Sequence, residues 1–510
     1  MATSNLLRWH ETLPGVFERE IDEAEQFYTS MAATWSGTGH TYFTITACIG
    51  FSIPYSTQST TTQFEARVEK AFRSAWMKLR HCHPTLAAPV EYDPATSKCK
   101  KVYKTLRCKH EVERWMEETF KVIKEVQSGP EFANQDPDVG RYATLYILSP
   151  VSPERQIKER TMQRHIVFRS HHDIIDGIGT LILFNRLFRY AAAALGSDSG
   201  ELEVVFGDEN YNLSPPFKIA ASLPHTPSTE QEAKLKTIKA ENRIARETAE
   251  VLGIPLNLTT SMPRRSQRTA IWLSLPETTA LLGRLKYVAA KPTEAFHTGI
   301  ALAIRDLQER GEELREARYI SYSLINLRRS CMPPYHSPLH AASVYHSVSA
   351  KSLVVDLTIP SNSSQSTTTS SDEFASALKQ VKDFYQNVKI DADYLSIVPS
   401  VFSAVTPPYP EKVCKVPPPN STPSASLSSM GLVDRIVSPE HGPFKLDDPW
   451  VIGAEYSTGL GLFLGTWRGR MCLSAGYNDA FHGEKNVLKF LESVKMIVME
   501  GLGLNVRVGS

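Results

Sequence analysis

The segment Arg164–Leu187, RHIVFRSHHDIIDGIGTLILFNRL, constrains the fold more than any other part of the chain. It begins with branched and aromatic residues at 165–169, a composition typical of a β-strand. From Gly177 onward, apolar residues recur every three or four positions, which predicts a helix. The adjacent histidines His171 and His172 are therefore expected where a strand passes into a helix.

Such a junction suits proton transfer. A strand end fixes its side chains, and the unpaired backbone N–H groups at a helix start stabilise negative charge. A neutral imidazole can accept a proton from a hydroxyl or an amine. Asp176 can hold the geometry and charge of the site, and Gly177 lets a substrate approach the backbone. We therefore interpret one of the two imidazoles as a general base; the alternative is that both histidines are buried, hydrogen-bonded packing residues.

Length and charge limit the class of protein. The chain has 510 residues, which is long for one hydrophobic core and predicts two or more domains. Hydrophobic residues make up 42% and charged residues 22%, an ordinary globular composition. The net charge is +1, so nothing favours nucleic acid or an anionic membrane as a partner.

The seven cysteines occur singly, and no Cys-x-x-Cys pair is present. This pattern predicts free thiols in a reducing compartment, without a zinc site or a disulfide framework. The N-terminal sequence MATSNLLRWHETLPG lacks the apolar centre of a signal peptide. No run of about 18 apolar residues occurs. We expect a cytoplasmic protein with no bound metal and no membrane span.

The remaining patterns alternate between strands and helices, which predicts an α/β protein. In the first part, strands are predicted over 40–53 and 143–148, and helices over 62–79 and 111–126. Six basic residues lie within 98–109. We interpret this run as a solvated strand face; a phosphate site for coenzyme A is the alternative.

A polar, proline-containing region predicts the domain organisation. We assign an N-terminal lobe to 1–199, a crossover linker with a helix to 200–262, and a C-terminal lobe to 263–510. Within the last of these, Ser361–Ser371 is low in complexity and Pro407–Pro423 is rich in proline. Both are predicted to be loops.

Two polar residues of the second half lie in apolar surroundings. His297 falls within a predicted helix among apolar neighbours, so we interpret it as a core histidine. Arg328 ends the predicted strand Arg318–Arg328. If it is buried it needs a carboxylate partner, whereas at a solvated strand end it needs none. The sequence alone leaves these two alternatives open.

The HHxxxDG pattern resembles the condensation-domain-like, BAHD-related acyltransferase superfamily. His-Pro-x-Leu at 83–86, Asn-x-Arg at 326–328 and Tyr-Asn-Asp at 477–479 resemble further landmarks of that superfamily. The chain is most similar to enzymes of the fungal trichothecene 15-O-acetyltransferase type. This resemblance implies two chloramphenicol-acetyltransferase-like α/β lobes, each a mixed sheet flanked by helices, with a tunnel between them.

The resemblance also implies roles for single residues. His172 would lie at the midpoint of the tunnel, and the backbone near Gly177 would bind the oxyanion. Asp176 would turn away from the substrate and pair with an arginine of the other lobe, for which Arg328 is the candidate. Further positions expected to line the channel are His171, Ser428 and Ser429.

These observations predict an O-acyltransferase that moves an acyl group, acetyl in the first instance, from acyl-CoA to a hydroxyl of a specialised metabolite. It would act as a monomer without a bound cofactor. The BAHD motif Asp-Phe-Gly-Trp-Gly is absent, which places the chain nearer the condensation branch and leaves the acyl donor open. The alternatives are a carrier-protein-dependent condensation enzyme, a cyclase on the same fold, and a catalytically silent binding protein.

Overall fold

The computed structural model describes residues 6–55, 60–126, 128–150, 161–256, 262–362, 371–409 and 424–504. Its strands are β1 His10–Leu13, β2 Val16–Glu20, β3 Ile45–Pro54, β4 Val90–Asp93, β5 Lys98–Lys104, β6 Phe120–Val126, β7 Thr144–Pro150, β8 Thr161–Ser170, β9 Glu250–Val251, β10 Ser266–Trp272, β11 Arg315–Ser321, β12 Leu324–Asn326, β13 His346–Val348, β14 Leu353–Ile359, β15 Ala425–Leu432, β16 Glu440–His441, β17 Phe444–Gly453, β18 Leu460–Trp467 and β19 Arg470–Asn478. Its α-helices are α1 Glu23–Ala33, α2 Thr61–Cys82, α3 Lys109–Thr119, α4 Gly129–Asn134, α5 Gly177–Gly196, α6 Phe217–Ala220, α7 Thr229–Glu247, α8 Leu275–Tyr287, α9 Pro292–Asp306, α10 Ser371–Asn387, α11 Ala392–Ser403 and α12 Glu484–Gly501.

A six-stranded sheet of order β16-β17-β3-β8-β7-β6 carries the histidine segment. Strand β8 lies between β3 and β7 and runs antiparallel to both, so it is an interior strand. At the sheet edge, the prediction of a helix over 111–126 is wrong in its second half. Helix α3 ends at Thr119, and Val122 and Ile123 pair with β7 instead, because branched side chains fit a pleated sheet.

Helices α2 and α5 pack on one face of this sheet and close its core. Phe51 of β3 meets Phe72 of α2 and Phe188 of α5, with ring centroids 5.2 and 5.4 Å apart. By length and composition alone, helix α5 could cross a membrane. Here 56% of its most apolar window is buried, and it packs as a core helix of the sheet.

The second half of the chain forms a four-stranded sheet, β10-β19-β18-β15, and a three-stranded sheet, β14-β11-β9. Helices α8, α9, α10 and α12 contribute apolar side chains to the core that these sheets share. The molecule is therefore the predicted α/β arrangement of mixed sheets flanked by helices.

Two strands of the second half, β16 and β17, belong to the first sheet. Strand β17 pairs antiparallel with β3, from Lys445 opposite Ser52 to Gly453 opposite Ile45. Phe444 belongs to the core of the first sheet. The C-terminal half thus contributes strands to the sheet of the N-terminal half. The domain boundaries at 199 and 262 remain predictions.

The basic run at 98–109 is only partly a solvated strand face. It includes β5 of a four-stranded N-terminal sheet, β1-β2-β5-β4. Lys98 and Lys100 of β5 form ion pairs with Glu20 and Glu18 on the neighbouring β2. Lys101 points to the other face, where its side chain is fully buried. Because successive side chains of a strand point to opposite faces, Lys98 and Lys100 lie on the outer face of β5 and Lys101 lies on the inner face.

The crossover contains the predicted capped helix. Ser228 caps α7 by accepting a hydrogen bond from the backbone of Gln231, whose side chain reaches back to the Ser228 N–H. The two predicted loops, Ser361–Ser371 and Pro407–Pro423, lie mostly outside the described residues.

His297 is a core residue of α9, as the sequence predicted. Its side chain is completely buried, and Nδ1 lies 2.8 Å from the hydroxyl of Tyr385. Burial lowers the pKa of His297 to about 3. Unfolding exposes the ring, so the unfolded chain binds a proton below about pH 6.5 that the folded chain does not bind.

We therefore expect His297 to make folding sensitive to acid. Stability should fall as the pH decreases from about 6.5 toward 3, by up to about 1.4 kcal/mol per pH unit for this one group. In His297→Gln, which keeps a polar partner for Tyr385, urea unfolding should show a shallower loss of stability between about pH 7 and about pH 5. His225→Gln, at an exposed position, is the matched control. Equal pH slopes for the two variants would contradict the prediction.

Candidate active site

The histidine segment forms a short turn between two rigid elements. Strand β8 ends at Ser170 and helix α5 begins at Gly177, so residues 171–176 connect them. Asp176 is the N-cap of α5, and its Oδ1 accepts a hydrogen bond from the Gly179 N–H at 2.8 Å. A side chain at position 179 would collide with the carbonyl oxygen of Ala341. The start of α5 therefore packs directly against the backbone of the second half.

The other carboxylate oxygen of Asp176 joins the two halves of the chain. Arg328 Nη1 donates to Oδ2 at 2.8 Å, and the Tyr345 N–H donates to the same oxygen at 3.0 Å. Both charged side chains are buried. Burial alone would raise the pKa of Asp176, but the Arg328 guanidinium and His346 lower it far below its usual range. Of the two alternatives for Arg328, the structure has the buried one, with the carboxylate partner that it requires.

His172 does not contact the carboxylate of Asp176 through a hydrogen bond. Its ring stacks on the ring of Tyr28, with centroids 3.8 Å apart and planes inclined by 6°. Nδ1 is buried without a hydrogen bond to another described residue, whereas Nε2 is neither buried nor bonded. Burial, and to a lesser extent the neighbouring His346, lower the pKa of His172 to about 3. The imidazole is therefore neutral near pH 7 and can accept a proton at Nε2.

Two residues that the sequence analysis did not identify complete the site. His346 of β13 lies with its ring centroid 5.2 Å from that of His172. Its Nε2 is 2.7 Å from the hydroxyl of Tyr28, and its Nδ1 is 3.7 Å from Asp176 Oδ2. Tyr28 comes from α1 at the N-terminal end of the chain. A polar chain therefore leads from Asp176 through His346 to the ring on which His172 stacks.

Residues of the N-terminal region also hold the turn at 171–176 in place. Asp173 Oδ2 accepts a hydrogen bond from the Thr29 hydroxyl at 3.0 Å. The buried Lys101 ammonium donates to the backbone carbonyl of Asp173 and to Glu25 of α1, the latter at 2.7 Å. Glu25 in turn accepts two hydrogen bonds from Arg19. This buried charge network fixes the backbone beside His172.

A polar cavity of about 430 Å³ opens beside the turn. His171 lines it, as do Asp173 and Tyr409. His171 and His172 thus have different environments, because successive residues that leave a strand point in different directions. The expected role of His171 in the channel stays a prediction. Further polar residues at the rim are His40, Asp138 and Arg141.

Strand β15 carries Ser428 and Ser429 and approaches the motif through a different residue, Met430. Ser428 is half-buried, and Ser429 is exposed with its hydroxyl 2.9 Å from the Thr293 hydroxyl. Met430 is the residue of this strand that approaches the motif, since a methyl group added at Gly177 would lie 3.1 Å from its Cε. The backbone at Gly177 therefore faces an apolar wall, and a role of Ser428 and Ser429 in the channel remains a prediction.

The described residues contain no group of three or more His, Cys, Asp or Glu side chains arranged to bind a metal ion. The six described cysteines are unpaired. The described site itself offers a neutral imidazole, a helix start and a buried ion pair.

Comparison with protein families and curated proteins identifies relatives of one kind. The model of the family "15-O-acetyltransferase Tri3" matches residues 32–401. The O-acetyltransferase pigM of Monascus ruber is 24% identical over 501 residues, which cover 98% of this chain and 88% of pigM. The match therefore extends over both halves of the molecule.

Solved structures of other proteins resemble this fold over nearly the whole length of the chain. The TRI3 trichothecene 15-O-acetyltransferase from Fusarium sporotrichioides superposes with a TM-score of 0.77 at 19% identity, covering 98% of each chain. The first condensation domain of the calcium-dependent antibiotic synthetase gives a TM-score of 0.60 at 11% identity and covers 95% of this chain and 96% of that domain. The fold is thus that of the condensation-domain-like enzymes, as the sequence predicted.

The Asp176–Arg328 pair is expected to stabilise the protein more than an ordinary polar contact. In Arg328→Met the Asp176 carboxylate stays buried without its counter-charge, which should lower the free energy of unfolding by about 3–5 kcal/mol. Arg329→Met, at the adjacent exposed position, should change it by less than about 0.5 kcal/mol. Chemical denaturation of both variants measures the difference.

The double variant Asp176→Asn, Arg328→Met tests the physical reason. It removes both charges together, so it should be more stable than Arg328→Met alone. If Arg328→Met unfolds at the same denaturant concentration as Arg329→Met, the ion pair does not hold the two halves together.

Proposed function

Since the chain belongs to the family of the 15-O-acetyltransferase Tri3, an acetyltransferase family of secondary metabolism, we propose that it transfers an acetyl group from acetyl-CoA to a hydroxyl of a small specialised metabolite. The observation that carries this proposal is the neutral His172 ring with an accessible Nε2 at the junction of β8 and α5. A thioester donor and an alcohol acceptor need a base of this kind and no redox group.

In the proposed reaction His172 Nε2 accepts the proton of the acceptor hydroxyl. The alcohol oxygen attacks the thioester carbonyl, forms the new C–O bond and generates a tetrahedral oxyanion. Collapse of this intermediate breaks the C–S bond. The thiolate leaves and takes the proton back from His172, so the enzyme returns to its starting state and the products are an ester and free coenzyme A.

The oxyanion needs hydrogen-bond donors that are in place before it forms. The first backbone N–H groups of α5 have no carbonyl partner within their own helix, and they point out of its N-terminus beside Gly177. The positive end of the helix dipole lies at the same place. Met430 and Val451 bound the space beside Gly177 with apolar atoms.

The cavity beside the site supports a small acceptor, and the free cysteines support a reducing compartment. The cavity beside His171 has the volume of a compact multi-ring metabolite and carries both charged and neutral polar groups. The six described cysteines are all unpaired, which agrees with a cytoplasmic enzyme. We propose that it works as a monomer, since both halves of the site come from one chain.

We expect His172→Ala to lower kcat by about 10² to 10⁴, the usual contribution of a general base. His171→Ala is the matched control, because the neighbouring ring lines the cavity and should affect KM more than kcat. The assay is mass spectrometry of acetyl transfer from acetyl-CoA to a panel of hydroxylated fungal metabolites.

Three results would speak against the proposal. Full turnover in a folded His172→Ala protein would exclude the base assignment. Transfer from a carrier-protein thioester but not from acetyl-CoA would identify a condensation enzyme. Conversion of a metabolite to an isomer without gain of an acetyl group would identify a cyclase.

A further inference from the structure

The stack between Tyr28 and His172 is the feature of the site that the reaction above does not use. The two rings are nearly parallel and almost in van der Waals contact, with centroids 3.8 Å apart. Burial raises the pKa of the Tyr28 phenol well above its ordinary value, so the ring remains an uncharged phenol. The π-face of a neutral aromatic ring carries negative charge density and attracts cations.

The Tyr28 ring is held in this orientation by more than packing. Its hydroxyl lies 2.7 Å from His346 Nε2, and the opposite nitrogen of His346 faces the Asp176 carboxylate at 3.7 Å. The carboxylate favours a proton on Nδ1, so the phenol is the donor and Nε2 the acceptor. Phe43 packs against Tyr28 edge to face, at a centroid distance of 5.7 Å.

The reaction creates a charge that is not hydrogen-bonded to a carboxylate of the described site, and the Asp176 carboxylate acts on it only through space. When His172 takes the proton of the acceptor, a buried imidazolium forms. Asp176 already accepts hydrogen bonds from Arg328 and from the backbone N–H groups of Tyr345 and Gly179, and His346 Nδ1 lies 3.7 Å from its Oδ2. His346 cannot serve either, because its own polar atoms face Tyr28 and Asp176. The only group in face-to-face contact with the His172 ring among the described aromatic pairs is Tyr28.

We propose that Tyr28 is the positioning residue that stabilises the protonated form of His172 through its π-face, and that His346 and Asp176 fix the orientation of that face. This inference rests on the proposed function, since it concerns the imidazolium formed when His172 accepts the hydroxyl proton. In this site an aromatic ring takes the place that a hydrogen-bonded carboxylate occupies behind the histidine of a Ser-His-Asp triad.

The test changes the charge density of the ring while nearly keeping its size. Position 28 is replaced by phenylalanine and by its mono-, di- and trifluorinated analogues, because each fluorine withdraws electrons from the π-face. Tyr28→Phe should lower kcat by less than about threefold, since the face remains. From phenylalanine to its trifluorinated analogue, kcat should fall progressively, by roughly five- to tenfold in all, with KM little changed.

A second readout does not depend on acetyl transfer. Diethyl pyrocarbonate reacts with a neutral imidazole nitrogen, which becomes positively charged in the transition state. The rate of carbethoxylation of His172, measured by peptide mass spectrometry, should therefore fall along the same series. His171 lies on the same peptide and is the internal control, because its rate should stay constant. The same analogues at Phe43, which touches Tyr28 but does not stack on His172, should change neither rate.

The outcomes separate the inference from the function on which it rests. If both rates fall with fluorination at position 28 and not at position 43, the proposal is supported. If neither rate responds, Tyr28 is a packing residue and the proposal is wrong. If the wild-type protein transfers no acetyl group while carbethoxylation of His172 still slows with each fluorine, the proposed function fails and the electrostatic role of Tyr28 stands.

Discussion

The buried pair of Asp176 and Arg328 is the interaction on which the rest of the structure depends. Asp176 caps the helix that follows the histidine turn, and Arg328 belongs to the other half of the chain, so one carboxylate sets both the local turn and the docking of the two halves. A buried ion pair is costly to form and more costly to break from one side. The site therefore forms only when the two halves of the chain are docked together.

This arrangement also sets the electrostatic surroundings of the His172 imidazole. Because Asp176 is directed toward Arg328, His172 is left in an apolar, aromatic environment that favours its neutral form. In the proposed reaction, a neutral His172 is available as a base over a wide pH range, but its protonated form is costly to bury. The proposed role of Tyr28 offsets part of that cost, because its ring is the one that stacks on His172.

The sequence predicted those parts of the site that a local pattern encodes. His172, Asp176 and the helix start lie within one strand–turn–helix segment, and Arg328 was a candidate because of an Asn-x-Arg resemblance. Tyr28 and His346 carry no such pattern: their hydrogen bond joins positions 318 residues apart. Lys101 shows the same limit, since a run of basic residues looks solvated until Glu25 from another element is placed against it. Nor is the matched family region a guide to Tyr28, because it begins at residue 32.

The pairing of β17 with β3 has a consequence for folding during synthesis. Strand β3 is almost entirely buried, yet one of its two neighbours is β17, which leaves the ribosome some 400 residues later. At typical translation rates of about 5–20 residues per second, an apolar sheet edge stays open for roughly 20 s to over a minute. Unpaired edges of this kind recruit other chains. We therefore expect the N-terminal half, if expressed alone, to aggregate through the β3 edge that β17 covers in the complete chain.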